Sequence, residues 1–269
     1  MSSYNLKIYH YLGETQFRFY SKPINNNSDI DKETLNENKQ IYNIDNNKQA
    51  ENEDDNYRSQ TVSQNRTINN IYEITRSNMW EYFITLTFNP QKIDRFNYEE
   101  CSKALSGWLK NIKNNYAPDL KYILVPELHK DGAYHFHGLI ANCGKMSFID
   151  SGHKTKTKQI IYNIENYKLG FTTATKVTDT SKASNYITKY ITKELCATTK
   201  GKKRYWASKN LDKPFIEKLF ITKEEKDILI DSLQGQIIYT KGLNCSDADL
   251  SVLYLEVKFN GIADRDAKK

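Results

Sequence analysis

His135 and His137 stand two residues apart in the run LKYILVPELHKDGAYHFHGLIA, residues 120–141. Imidazole nitrogens carry protons or ligate metals near neutral pH, and two on one side of a strand can share an ion. The run reads as a β-hairpin, with β-prone apolar stretches on either side of Lys130, Asp131 and Gly132. A three-residue loop ending in Gly suits that connection, because Gly takes the left-handed conformation without steric cost. Pairing outward from the loop sets Glu127 opposite His135 and Val125 opposite His137. Side chains alternate faces along a strand, so His135, His137, Glu127 and His129 share a face while Phe136 points the other way. Two imidazoles and a carboxylate on a rigid sheet suit a divalent cation with open positions for a phosphate oxygen. A His-x-His pair alone is more often an ordinary surface pair or a hydrogen-bonded core pair; the opposed Glu127 brings the metal reading level with that, and a second segment lifts it further. His129 is open between a fourth ligand, a hydrogen-bond donor behind the ligands and a bystander.

Sixty residues on, residues 185–194 read NYITKYITKE, with YxxK twice in tandem. On a helix spanning residues 181–196, Tyr186 and Tyr190 fall within about 40° of each other. Lys182, Lys189 and Lys193 flank them, and Ala183, Ile187, Ile191 and Leu195 form the neighbouring apolar stripe. The phenols thus sit at the basic edge of a packing face. A tyrosine is a weak nucleophile at its ordinary pKa of ~10. Nearby cations favour the phenolate, and a metal on a phosphate polarises phosphorus and steadies the leaving oxygen. Together these parts describe covalent phosphodiester transfer.

Charge distribution agrees. The chain nets +6, but residues 151–210 hold 13 Lys plus Arg against 3 Asp plus Glu. That excess beside a metal face points to a polyanion, most simply nucleic acid. Mean hydropathy is −0.74, and no apolar run approaches the ~20 residues of a membrane span. The N-terminal MSSYNLKIYHY lacks the apolar core of a secretory signal. Cys101, Cys143, Cys196 and Cys245 are far apart with no CxxC, which argues against a zinc ribbon or disulfide framework and fits a reducing cytoplasm.

The elements that must position these groups follow in order. Residues 1–24 alternate as a hairpin about Leu12, Gly13 and Glu14, which either docks on the main domain or stands apart. Residues 25–68 are predicted to be a disordered linker, since 25–56 alone holds 10 Asn and 9 acidic residues. The main domain spans 69–215. It has a strand at 80–88, with Thr85 and Thr87 on one face, and a helix at 97–116 capped by Asn97 with Glu100 at its third position. Cys101, Ala104, Leu105, Trp108, Leu109 and Ile112 make that helix's apolar stripe. The hairpin comes next, then a Lys/Thr-rich loop at 143–158, a helix or strand at 159–169, a strand at 171–177, the tyrosine helix and a short strand at 204–208. This order predicts an α+β fold, a central antiparallel sheet with helices on one face. Residues 216–269, with a helix at 223–233 and a strand at 251–259, read as an accessory extension. GLIANCGK, residues 138–145, is not a phosphate-binding loop: five residues separate its glycines, and Met146 stands where Ser or Thr is needed.

FITLTF (83–88), the HFH of 135–137 and YITKYITK (186–193) stand in the order of the three motifs of HUH endonucleases. More narrowly, the chain resembles the rolling-circle replication initiators of small bacterial phages and plasmids, of the filamentous-phage gene II and microvirus-like type. RYWASKNLDKP (204–214) resembles the segment after motif three of the gene II type, and the likeness covers roughly residues 75–215. It implies an RRM-like, ferredoxin-like sheet with Mg²⁺ or Mn²⁺ held by Glu127, His135 and His137. It implies that tyrosine cleaves single-stranded DNA at a replication origin, leaving a 5′-phosphotyrosine and a 3′-OH for a host polymerase, with a host helicase. Lys189 and Lys193 would neutralise phosphate charge. Lys182, Lys202, Lys203, Arg204, Thr85 and Thr87 are the candidate DNA contacts. A transposase or relaxase could carry the same parts, although a relaxase usually places its Tyr before its histidines. A DNA-binding regulator could keep the fold without the chemistry.

Overall fold

Both ends of the chain alternate apolar and polar residues, and in the computed structural model they build one sheet. The structure describes residues 3–25, 55–199, 201–245 and 249–258. β1 (Ser3–His10) and β2 (Thr15–Asn25) form the expected N-terminal hairpin, with Gly13 at φ 76° in its turn. In the middle of the chain follow α1 (Asp55–Arg76), β3 (Tyr82–Phe88), α2 (Tyr98–Asn115), β4 (Lys121–Leu128) and β5 (Tyr134–Ala141). Then come β6 (Phe148–Lys154), β7 (Ile160–Ile164), β8 (Gly170–Lys176), α3 (Thr180–Thr188), α4 (Lys193–Thr198) and β9 (Trp206–Ala207). β10 (Phe215–Leu219), α5 (Lys223–Ser232), β11 (Ile237–Cys245) and β12 (Leu250–Val257) complete it. The chain divides into two units, with the boundary between Asp212 and Lys213.

The first unit is a five-stranded antiparallel sheet ordered β10-β1-β2-β12-β11. One face buries Tyr4, Tyr20, Ile24 and Val252; the other buries Leu6, Phe17, Phe19 and Leu255 under Leu229 and Ile230 of α5. The C-terminal segment is therefore not an appendage: β12 lies beside β2, and neither end could cover its apolar alternation alone.

The second unit is built on a seven-stranded antiparallel sheet, ordered β6-β7-β8-β3-β5-β4-β9. The α+β class and the antiparallel sheet are as expected, but helices cover both faces. On one face Phe136 meets Trp206, which in turn faces Tyr98 of α2. On the other, Phe83 meets Tyr186 of α3 and His137 meets Tyr190. The reason is visible strand by strand: Leu124, Leu86 and Phe136 point one way, Ile123, Val125 and Leu139 the other, and all are fully buried. An apolar residue on each face needs a cover on each face.

Three further expectations are corrected. Residues 26–54 lie outside the described residues, but α1 is helical where the linker was expected to continue to 68. Its Ile68, Ile71, Tyr72 and Thr75 recur at helical spacing and are buried, and polar Gln64 and Asn65 are buried with them. Average composition hides such a face. β6 occupies part of the expected loop, on an edge where Gly152 takes φ 75° and the pairing with β7 shifts register. The tyrosine helix breaks into α3 and α4, as described below. The α2 cap, by contrast, forms on Asn97, whose side chain accepts from the Glu99 and Glu100 amides at 3.0 and 3.2 Å. Residues 138–141 of the dismissed phosphate-loop run lie within β5. Among the described residues no helix is long and apolar enough to cross a membrane.

Gly138 shows how tightly the central strands pack. A Cβ there would stand 2.2 Å from Leu124 Cδ2 and 2.3 Å from the Ile123 carbonyl oxygen. Backbone cannot yield as a flexible side chain can. Gly138→Ala should lower unfolding stability by roughly 1–3 kcal/mol or more, read as a reduced urea midpoint.

Candidate catalytic site

The site grows from one register. β4 and β5 pair Glu127 with His135 and Val125 with His137, as the turn at Gly132 (φ 86°) requires. β3 extends the rows, with Thr87 opposite His135 and Thr85 opposite His137. Directly paired residues share a face, so the two histidines, the carboxylate and both threonines line one surface.

Hydrogen bonds fix the rings. His137 Nε2 lies 2.7 Å from Glu127 Oε2, and His137 Nδ1 lies 3.1 Å from Thr85 Oγ1. A carboxylate only accepts, so the Nε2–H donates to Glu127 and Nδ1 takes the Thr85 hydroxyl proton. Thr87 Oγ1 stands 3.3 Å from His135 Nδ1. Both threonines, expected to touch DNA, thus have their hydroxyls turned to the imidazoles. Burial pushes His135 and His137 below the ordinary 6.5; the positive field of His129 adds to this at His135, while the Glu127 bond opposes it at His137. The shift favours the neutral imidazole, the form that ligates a cation. His129 stacks on His135 at 5.0 Å between ring centres, and its Nδ1 lies 3.4 Å from Asp131 Oδ1.

The donor types fit a divalent cation: two imidazoles backed by hydroxyls, and one carboxylate. Among the described residues, no three His, Cys, Asp or Glu side chains are already gathered as a metal cluster. The nitrogen and oxygen that would serve are joined to each other, at Glu127 and His137.

The tyrosines reach this surface through a break in their helix. α3 starts at the Asp179 cap, whose carboxylate accepts the Lys182 amide at 3.0 Å. After Thr188 the chain tightens: the amides of Lys189, Tyr190 and Ile191 bond three residues back. Thr192 then caps α4, its hydroxyl accepting the Leu195 amide at 3.2 Å. A Thr whose side chain can cap is a restart signal, which an uninterrupted helical stripe conceals. The break preserves the convergence that one helix was expected to give. Tyr190 lies flat on His137, with ring centres 3.9 Å apart and planes 5° apart. Tyr186 meets Tyr190 edge-on at 5.5 Å and leans on Phe83 at 5.3 Å. Tyr186 is 49% exposed. Burial, then the hydrogen bond and proximity of Tyr186, push the Tyr190 phenol well above its ordinary range, so it is hard to ionise.

The lysines divide. Lys189 is exposed beside the tyrosines, and Lys182 pairs with Asp179 at 3.3 Å. Lys193 opens α4, its side chain lying outside the described residues. Lys202 and Lys203 are on the α2 side of the sheet: Lys202 pairs with Glu99 at 3.1 Å, and Lys203 lies over the Trp206 ring. They border a cavity of about 310 Å³ lined also by Tyr98, Ser102 and Lys103. Arg204 reaches α1, donating to Ser63 Oγ at 2.8 Å. So the structure gathers Glu127, His135, His137, Thr85, Thr87, Tyr186 and Tyr190, leaves Lys189 exposed on the segment between the two tyrosines, and sets Lys202 and Lys203 on the α2 side and Arg204 against α1. The basic run looked continuous in sequence, but between α4 and β9 the chain passes to the α2 side of the sheet and carries Lys202 and Lys203 there.

Two residues escaped sequence reasoning. Arg95, in the loop after β3, holds Asp131 at 3.3 Å, and its charge acts on His135. Gln64 of α1 donates to the Ile191 carbonyl at 2.7 Å, in a buried setting at the helix break. Neither belongs to any motif.

Residues 81–195 match the family model for replication-associated proteins of the ORF2 and gene II protein type. Comparisons with curated proteins and with solved structures found no match. The matched segment runs from β3 through α4 and contains every residue gathered at the site. It supports a replication-initiator role of the Rep type, involving DNA.

Gln64→Ala should leave the Ile191 carbonyl buried and unpaired, costing about 1–3 kcal/mol. Denaturant unfolding should show that loss, and amide exchange at Tyr190–Thr192 should rise more than in β4 or β5.

Proposed function

We propose that this chain is a Rep-type initiator that nicks and rejoins single-stranded DNA at an origin through a 5′-phosphotyrosine. The observation that carries it is Tyr190 laid flat against His137 of the imidazole row, with Tyr186 edge-on to Tyr190 behind it. A purely structural tyrosine pair has no reason to face a carboxylate–imidazole–threonine array.

Tyr186 is the first nucleophile: it is the more exposed phenol, and Tyr190 is held protonated by burial. Its oxygen attacks phosphorus, the P–O3′ bond breaks, and a Tyr–O–P bond forms. The phenol gives up one proton and the departing 3′ oxygen takes one. One phosphodiester replaces another, so the reverse step can reseal the strand. Mg²⁺ or Mn²⁺, held by Glu127, His135 and His137, would supply the Lewis acid that polarises the scissile phosphate. Thr85 and Thr87 keep the imidazoles oriented, and Lys189 offers charge to the phosphate. Tyr190, one turn further, is placed to serve as the second nucleophile, in the alternating scheme that circle closure needs. Extension from the free 3′-OH would fall to a host polymerase and helicase.

Labelled single-stranded DNA carrying the cognate origin should be cut in Mn²⁺ and left intact in EDTA. Tyr186→Phe and His137→Ala should each slow cleavage by about 10²-fold or more. Unchanged rates in either variant would contradict the mechanism. Salt-sensitive binding without cleavage would favour a DNA-binding regulator.

A further inference from the structure

The face that carries the histidines is covered unevenly. Val125, Leu139 and His137 are buried, while Thr87, His135 and Glu127 are only half-buried. That open row continues one strand further. β8 pairs with β3 so that Phe171 lies opposite Thr87, and Thr173 opposite Thr85. Glu127, His135, Thr87 and Phe171 therefore form one row across β4, β5, β3 and β8. Phe171 is two strand spacings from His135, roughly 10 Å. Its ring is 61% exposed, the most exposed member of the row.

A single exposed Phe is common on a protein surface. What distinguishes this one is its company. The same open strip is otherwise threonine, at Thr87, Thr173 and Thr175. The chain leading into β8 brings cations: Lys168 is exposed, and Lys92 Nζ donates to the Lys168 carbonyl at 2.8 Å. On the other side of the row, the Arg95 guanidinium acts on His135. A bare aromatic ring in line with that row, on a strand whose approach carries exposed Lys168 and with Arg95 acting at the row's other end, offers what an unstacked nucleotide needs: a π-face for its base and positive charge for its phosphates.

We infer that Phe171 is a stacking platform for a base of the single strand, close to the scissile phosphate. This rests on the single-strand nicking reading above and adds a residue outside the catalytic groups. Stacking is indifferent to base identity, so Phe171 would hold the strand taut along the row without setting its sequence. Its contribution is apolar, so it should not release counterions.

The test uses the full chain as Tyr186→Phe/Tyr190→Phe, which cannot cleave, and a fluorescein-labelled mixed-sequence single-stranded oligodeoxynucleotide. Anisotropy titrations at several salt concentrations compare this parent with versions that also carry Phe171→Ala or Phe171→Trp. Phe171→Ala should weaken binding about tenfold and leave the slope of log Kd against log salt unchanged, while Phe171→Trp retains affinity. Thermal melts should match, since the side chain is exposed. Affinity within about twofold of the parent for Phe171→Ala, or a loss that comes with a reduced salt slope, would overturn the stacking role. That result would leave the nicking reading intact if the unmodified chain still cuts. No binding by the parent would remove that reading, and this inference with it.

Discussion

Everything at the site depends on the pairing register of β4 and β5. Strand side chains alternate with a period of two, so a slip of one residue between them would leave Glu127 on the opposite face from His135 and His137. The register is held locally by the turn, where Gly132 adopts φ 86° and the Asp131 carboxylate accepts the Ala133 amide at 3.0 Å. It is held again by Gly138, whose missing side chain lets Leu124 and Ile123 close over β5. From that one alignment follow the rows through Thr85 and Thr87 to β8, and therefore the surface on which a strand of DNA would lie.

The second requirement is that a flexible phenol be brought to a rigid sheet. A straight helix over residues 181–196 would carry both tyrosines past the row on a fixed pitch. The observed break lets Tyr190 lie flat on His137 while Tyr186 stays open to solvent. That break is stabilised from both directions, by the Thr192 cap within the segment and by Gln64 from α1. α1 thus belongs to the site architecture.

Much of this was legible from residues alone, for definable reasons. The turn at 130–132 and strict alternation gave the Glu127–His135 pairing, because register in a short hairpin is a local property. The α2 stripe and its Asn97 cap were readable on the same grounds. What could not be read were arrangements made by distant contacts. α1 was masked by its polar composition, since its buried face includes Gln64 and Asn65. The union of β2 with β12 joins segments more than 200 residues apart, which no local pattern announces. Lys202, Lys203 and Arg204 were grouped with the site by charge density along the chain, but the segment between α4 and β9 takes Lys202 and Lys203 to the α2 side and ties Arg204 to α1. Arg95 and Phe171 carried no spacing signal at all; their positions emerge only from the pairing of β3 with its neighbours.

The proposed phosphotyrosine, formed by a tyrosine near the end of α3, is open to peptide mapping of the protein–DNA adduct. The full chain would be incubated with single-stranded origin DNA and Mn²⁺, digested with nuclease and protease, and its modified peptide sequenced by mass spectrometry. A 5′-phosphonucleotide is expected on Tyr186, with a second one on Tyr190 only when a second cleavage is allowed. Cleaved DNA with no nucleotide on either tyrosine would contradict that expectation and would point to metal-assisted hydrolysis instead.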